Sequence, residues 1–474
     1  MEIRTKNFEQ NVNIALAIPT LKKAIKKATA RFNILREQSL AQLEDVDGLR
    51  NRIKKIKEDT INNLEYYLEM LEKSVQSTGG KVHRAKDGKE ASEIITKIAI
   101  DNGVNKIVKG KSMVSEEINL NEVLIKKGID VIETDLGEYI IQLAGETPSH
   151  IIVPAVHKTR EDVSNLFVEK LGIEKTDEVE KLTAAARKVL RREFCNADMG
   201  ISGVNFAIAE TGSIVIVENE GNGRLSTTMP KIHIALMGME KVIPTLEDLA
   251  LFLKILARSA TGQKMTSYVS IISGPRKEDE SDGPEQFHLV IIDNGRSKIL
   301  ADKDMKESLY CIRCGACLNI CPVFNNIGGH SYGWVYPGPI GSVITPLLVG
   351  LETSKMLPYA STLCGACYEV CPVRIQIPHL LLKLRNRILE RTNGVKIKRE
   401  FAERIVMDLW MKSLKSKFLY ELLSSFGAFI TNLIAKNGKI KSLPFILSKW
   451  TDERDFPPLA KKSFRKRWEE VKNG

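Results

Sequence analysis

Seven of the chain's eight cysteines fall in two short runs, and nothing else in its 474 residues restricts the fold so tightly. The first run is Cys311-x-x-Cys314-x-x-Cys317-x-x-x-Cys321-Pro322. The second is Cys364-x-x-Cys367-x-x-x-Cys371-Pro372, with Ser361 where a first cysteine would stand. This is the spacing with which two-cluster proteins hold [4Fe–4S] groups: three thiolates of one run grip one cluster, and the fourth crosses to the other. The crossover predicts Cys311, Cys314, Cys317 and Cys371 on cluster 1, and Cys321, Cys364 and Cys367 on cluster 2. Cluster 2 is then one thiolate short. Three outcomes are open there: a serine or water ligand, an iron that a substrate or partner can reach, or a [3Fe–4S] cluster. Such a region carries electrons.

Tetrahedral zinc closes on four ligands, commonly as two separated pairs, and has no use for seven cysteines in this pattern. Clustered thiols with no secretory leader point to a reducing compartment rather than to disulfides. The eighth, Cys195, stands alone in Arg-Glu-Phe-Cys-Asn and reads as a small buried apolar residue.

The chain is long enough for about three domains. No stretch is apolar enough to span a membrane; Phe418 to Ala435 comes nearest but holds Glu421 and Asn432. Met-Glu-Ile-Arg-Thr-Lys at the start is not followed by an apolar segment, so a cytoplasmic location is expected. The net charge of +11 invites nucleic acid or an anionic surface. However, the basic residues are scattered among acids and no nucleic-acid motif is present. The densest basic run, 461–467, reads as a solvated tail.

Residues 1–79 are predicted to be a helical region. Leu49, Ile53, Ile56, Leu64, Leu68, Leu71 and Val75 recur near the helical period, and Gly79-Gly80 ends the pattern. Between 80 and 300, short apolar segments alternate with helical ones, which predicts an α/β domain with a largely parallel sheet. Strands are expected at 106–109, 130–133, 139–142, 151–153, 206–209, 214–217, 267–272 and 288–292. Helices are expected at about 88–101, 116–127, 160–171, 178–194 and 246–259.

Parallel sheets bind ligands beyond the carboxyl ends of their strands, which draws attention to two loops. Lys109-Gly110-Lys111-Ser112-Met113 would suit an anion, and Glu218 to Arg224 offers glycines and Arg224 for a carboxylate or phosphate. Neither has the spacing of a P-loop or dinucleotide fingerprint. Glu210-Thr211-Gly212-Ser213 reads as a hairpin turn, and His150 and His157 as hydrogen-bonding structural residues.

Residues 301–385 form the two-cluster ferredoxin-like domain. Between its motifs the Gly/Pro-rich stretch 328–341 suits wrapping a cofactor with backbone N–H groups. Within it, His330 is a candidate for coupling protons to electrons. Residues 386–474 return to helix, with Leu409, Trp410, Leu414, Phe418, Leu422 and Phe426 on one face.

Several long segments together resemble the L-lactate utilization protein B family. They are Lys109-Gly-Lys-Ser-Met113, Glu133-Thr-Asp-Leu-Gly-Glu138, Pro148-Ser-His-Ile-Ile-Val-Pro-Ala-Val-His157, Gly203-Val-Asn-Phe-Ala-Ile-Ala-Glu-Thr-Gly212, Gly328-Gly-His330 and Leu363-Cys-Gly-Ala-Cys-Tyr-Glu-Val-Cys-Pro-Val373. The resemblance spans nearly the whole chain, and the serine at 361 belongs to the family pattern. It implies a lactate utilization domain with an open sheet similar to the ribose-phosphate isomerase and CoA-transferase group. It also implies two companions, a smaller lactate utilization domain protein and a cysteine-rich protein similar to heterodisulfide reductase subunits. The expected role is the iron–sulfur electron-transfer component of an L-lactate dehydrogenase complex that yields pyruvate and allows lactate to serve as carbon source. Lactate comes from the resemblance alone. The chief alternative makes this chain the hydroxy-acid dehydrogenase, its α/β domain binding substrate through Lys111 or Arg224, or its open iron doing so. A cluster-bearing sensor is a third, disfavoured by the lack of a DNA-binding motif.

Overall fold

A computed structural model describes residues 3–151, 153–390, 401–443, 448, 450, 451 and 454–472, with backbone alone at 401–404 and 406. The chain divides into two compact units, Met1–Val395 and Lys396–Gly474.

In the first unit the strands are β1 (Lys81–Ala85), β2 (Lys106–Lys109), β3 (Asp130–Glu133), β4 (Met199–Gly203), β5 (Phe206–Ile208), β6 (Ser213–Glu218), β7 (Ile232–Gly238), β8 (Val242–Ile243), β9 (Tyr268–Ile272) and β10 (Gln286–Ile292). Six form one sheet in the order β1-β10-β7-β4-β2-β3, parallel throughout. β7 lies inside it and every one of its residues is buried, as parallel strands covered on both faces require. The helix Gly88–Asp101 closes Ala91, Ile95 and Ala99 over one face against Ile107, Ile201 and Ile234. The helices Arg160–Leu171 and Val179–Asn196 bring Phe167, Leu182 and Leu190 to Val108 on the other. The remaining four strands form a second sheet, β8-β5-β6-β9. Its β5–β6 hairpin pairs Ile208 with Ser213, as the turn at Glu210–Ser213 predicts.

The strand reading fails at two places. Tyr139–Gln142 is helical, within Leu136–Ala144: the Asp135 carboxylate accepts from Glu138 N–H and left-handed Gly145 ends the helix, so the apolar run is one helical face. Ile151 and Val153 lie in irregular chain, and Ile152 falls outside the described residues. The expected helix at 116–127 is two, Met113–Glu117 and Leu120–Ile125, parted by left-handed Asn119. Cys195 is exposed, not buried. Strands β4 and β7 carried no alternation to find, because both faces of the sheet are covered there.

The N-terminal helices belong to the cysteine region as much as to the sheets. Pro19–Leu40 and Val46–Asn62 bury Ile25 and Ile53 in the same core as the cysteines and Leu249 and Phe252 of the helix Leu246–Thr261. In the second unit, Phe401–Lys415 and Lys417–Ile434 are helices, and Leu409, Trp410, Leu414, Phe418, Leu422 and Phe426 are all exposed within that unit. No helix among the described residues is long and apolar enough to cross a membrane.

Candidate iron–sulfur site

The two cysteine runs adopt one backbone shape twice. Arg313 (φ +59°) and Leu363 (φ +56°) are both left-handed, an uncommon state for residues with a Cβ, as are Gly315 and Gly365 two residues on. Each glycine starts a short helix, Ala316–Ile320 or Ala366–Glu369. The carbonyls of Gly315 and Gly365 accept from Leu318 and Tyr368 at 3.0 and 2.9 Å, and Cys321 and Cys371 donate back to Leu318 and Tyr368 at 3.2 and 3.1 Å. In each run the left-handed turn leads into the short helix, and the proline after the last cysteine follows its end.

Folding brings the runs together. Cys311, Cys314, Cys317 and, from the second run, Cys371 line one small pocket, bordered by Ile151, Ile312, Ile340, Val373, Ile375 and Ile377. Electrostatically the thiols fall into two sets. Cys314 feels Cys371 and Cys311, whereas Cys367 feels Cys321 and Cys364. Cys317 borders both. Burial drives these thiols toward the neutral form, Cys371 to about 11 and Cys367 to about 12. Exposed Cys364 is instead lowered by the N–H of Ala366 and the Thr362 hydroxyl. Buried thiols crowded in this way become thiolates only when a cation compensates them, which suits iron. Among the described residues no three His, Cys, Asp or Glu side chains close in on the point a single ion would occupy. The four cysteines instead share one pocket, and N–H groups of Arg313 and Ile375 already point at Cys311 Sγ and Cys371 Sγ, each at 3.4 Å. The site fits a cubane cluster with amide hydrogen bonds to its sulfurs.

Distant cations brace this cavity. Arg50, from the N-terminal helices, donates to the Cys371 carbonyl from Nε at 3.1 Å and Nη2 at 2.7 Å. Arg313 lies over the Tyr336 ring, 4.8 Å from its centroid, and pairs with Glu240 at 3.4 Å. Glu240 in turn holds Arg296 Nε at 2.7 Å, and Arg296 grips Glu117 with two bonds of 2.8 and 2.9 Å. Tyr336 donates to the same carboxylate at 2.5 Å. Burial alone would raise both carboxyls, but Arg296 outweighs it and holds Glu117 below its ordinary value; with Arg313 it takes Glu240 to about 2. A buried ionic chain therefore runs from the first cysteine turn to the sheet. Arg313, inside the motif, was the only visible hint of it.

A second cavity, about 290 Å³ and open to solvent, sits beyond the carboxyl ends of neighbouring strands β2, β4 and β7. Those ends supply Gly110 to Ser112, Gly203 to Asn205, and Glu240 with Lys241. Ile151 and Arg313 line both cavities. Arg313 Nη1 is buried with no hydrogen-bond partner among the described residues, although the guanidinium lies against the Cys311 thiol.

The sequence candidates divide around this space. Lys111 lines it, but Arg224 does not and is exposed. The loop before Arg224 satisfies itself, because the Glu218 carboxylate accepts from the N–H groups of Gly223 and Arg224, both at 2.7 Å. Lys109 is spent on Glu133 at 2.8 Å inside the core. His330 Nε2 meets the Thr147 carbonyl at 2.6 Å and its ring meets His157 edge-on, while His150 Nε2 meets Asn319 Oδ1 at 3.1 Å. These histidines tie the 147–157 segment to the cysteine region, and His330 lines neither cavity.

Three family descriptions match the chain: LUD domain over residues 68–292, 4Fe-4S dicluster domain over 307–375, and Lactate utilisation protein B, C-terminal, over 383–473. Lactate utilization protein B of Geobacillus sp. (strain WCH70) is 45% identical, covering 100% of this chain and 99% of its own. The proteins of that name from Macrococcus caseolyticus and Bacillus subtilis are 46% and 44% identical, covering 98% of this chain and 97% and 96% of their own. The solved structure of a DUF162 family protein from Deinococcus radiodurans aligns at TM-score 0.28 and 15% identity, over 48% of this chain and 98% of that one. With these relatives matched end to end, the chain belongs to the lactate utilization protein B family.

Proposed function

We propose that this chain is the iron–sulfur electron-transfer subunit of a multi-protein, cytoplasmic system that oxidises L-lactate to pyruvate. When bound, each cluster accepts and returns one electron. In this reading Cys311, Cys314, Cys317 and Cys371 hold cluster 1, and Cys321, Cys364 and Cys367 hold cluster 2. The observation that carries it is the cavity walled by three cysteines of one run and Cys371 of the other. The chain's own part is to keep water and oxygen from cluster 1 with isoleucines, orient the thiols by left-handed turns, and hold cations beside them. Working divisions are 1–79 for the helical region, 80–300 for the α/β domain, 301–385 for the clusters and 386–474 for the C-terminal helices. The companions are the smaller lactate utilization domain protein and the cysteine-rich one, and the names of this chain's relatives supply the substrate.

A second reading, in which this chain itself oxidises the hydroxy acid, draws on the open cavity. Unpartnered Arg313 Nη1 and half-buried Lys241 offer a carboxylate two donors in a space that borders the cysteine-lined one. One experiment separates the two readings. L-lactate is added anaerobically to the reconstituted chain and reduction is followed by EPR. Under the carrier reading no signal develops until the companions are added. Reduction by lactate alone would establish the second reading, and a Lys241→Gln variant would then weaken it at least tenfold.

A further inference from the structure

Ser361 occupies in the second run the place that Cys311 holds in the first, and the structure reproduces that place in detail. The residue two positions on is left-handed in both, Arg313 and Leu363. In both, its backbone N–H turns back onto the side chain in question: Arg313 N–H to Cys311 Sγ at 3.4 Å, Leu363 N–H to Ser361 Oγ at 3.1 Å. The rest of each turn repeats as well, through the Cys-Gly-Ala-Cys segment and the bonds that close its short helix. Backbone and hydrogen bond thus give the seryl oxygen the place in its turn that the Cys311 thiol holds in the first.

Two further contacts prepare that oxygen. Its own proton has no acceptor among the described residues; Oγ only accepts, from Leu363. Arg385 donates from Nη2 to the carbonyl of Ser361 at 3.0 Å and from Nε to that of Pro358 at 2.9 Å. It clamps the loop and places a fixed positive charge beside the serine, which favours an anionic oxygen there. Arg385 also lies over the Tyr359 ring, 5.0 Å from its centroid, which fixes the guanidinium.

We propose that Ser361 Oγ is the fourth protein ligand of cluster 2, completing the set with Cys321, Cys364 and Cys367. This rests on the two-cluster reading above. Ligation exchanges one Fe–O bond for another. A water leaves the fourth iron, the seryl oxygen takes its place, the hydroxyl proton passes to solvent and no electron moves. Iron lowers the pKa of a bound O–H group enough for this at neutral pH. An oxygen ligand is harder than a thiolate and suits the oxidised state, so it marks one iron of cluster 2 as chemically distinct.

The test uses the full chain, reconstituted anaerobically with ⁵⁷Fe, as wild type, Ser361→Ala and Ser361→Cys. Iron per chain, EPR and Mössbauer spectra are the readouts. Wild type is expected to show one iron site with a higher isomer shift than the all-thiolate sites. Ser361→Cys abolishes that site with iron content unchanged. Ser361→Ala loses one iron per chain and gains the EPR signal of an oxidised [3Fe–4S] cluster. A distinct site that persists in both variants, or a wild type that already carries [3Fe–4S], overturns the serine ligand while leaving two clusters in place. A wild type with cluster 1 alone overturns the two-cluster reading, and the serine ligand with it.

Discussion

Arg296 shows how much rests on single residues far from any cysteine. Its side chain is 1% exposed and lies between two carboxylates, Glu117 and Glu240, that are equally buried. Replacing it with methionine keeps much of the volume but strands both charges. Removing one partner of a buried pair costs roughly 3–5 kcal/mol. Arg296→Met is therefore expected to lower the unfolding free energy by about 3–5 kcal/mol, while Arg296→Lys recovers only part because one ammonium cannot reproduce the three-bond fork. Chemical denaturation of the two variants beside wild type checks this. None of it was legible in the sequence: Glu117, Glu240, Arg296 and Tyr336 are ordinary residues scattered along the chain, and only the fold makes them one network. Gly329 is a similar case at smaller size. A Cβ there would come within 1.7 Å of the Ser149 carbonyl oxygen, so a side chain would push the 147–157 segment off the cysteine region.

At the scale of elements, the paired turns were the legible part. Spacing alone marks Cys311 to Cys321 and Cys364 to Cys371 because cluster geometry leaves few alternatives, whereas the apolar run at Tyr139–Gln142 fits helix and strand equally until Asp135 and Gly145 are weighed as caps. Strands β4 and β7 escaped notice for a related reason, since a strand buried on both faces has no alternation to betray it. The proposed exchange of last cysteines between the turns yields a prediction that spacing without exchange would reverse. Cys371→Ser, although in the second run, should perturb the EPR signal of the cluster held by Cys311, Cys314 and Cys317. Cys321→Ser, in the first run, should perturb the other. Potentiometric EPR on the two variants distinguishes the signals, because Arg50 and Arg313 lie beside the cysteines proposed for cluster 1 and should make its potential the more positive.

At the scale of the whole molecule the buried histidines contribute to acid sensitivity. Burial holds His150 at about 4 and His233 at about 3, against 6.5 in the unfolded chain. Between 6.5 and those values the unfolded state binds more protons, so stability rises with pH in that window and is lost as pH falls through it. Each histidine contributes a slope of about 1.4 kcal/mol per pH unit. Unfolding free energies measured between pH 7 and 5 should fall accordingly, and His233→Gln should flatten the slope by one histidine's contribution.

The N-terminal helices have a consequence in time rather than in space. Arg4 N–H bonds the Gly333 carbonyl, Thr5 that of Thr353, Asn33 that of Asn319 and Arg50 that of Cys371. Each joins residues synthesised early to others made some hundreds of residues later, and contacts so distant along the chain form late. Until they do, the thiols have no cover, and a newborn chain presents them to whatever oxidant or metal is at hand. Shortening the N-terminus would prolong that interval, and the loss would be read first in how many chains acquire iron, before any change in how those that did acquire it behave.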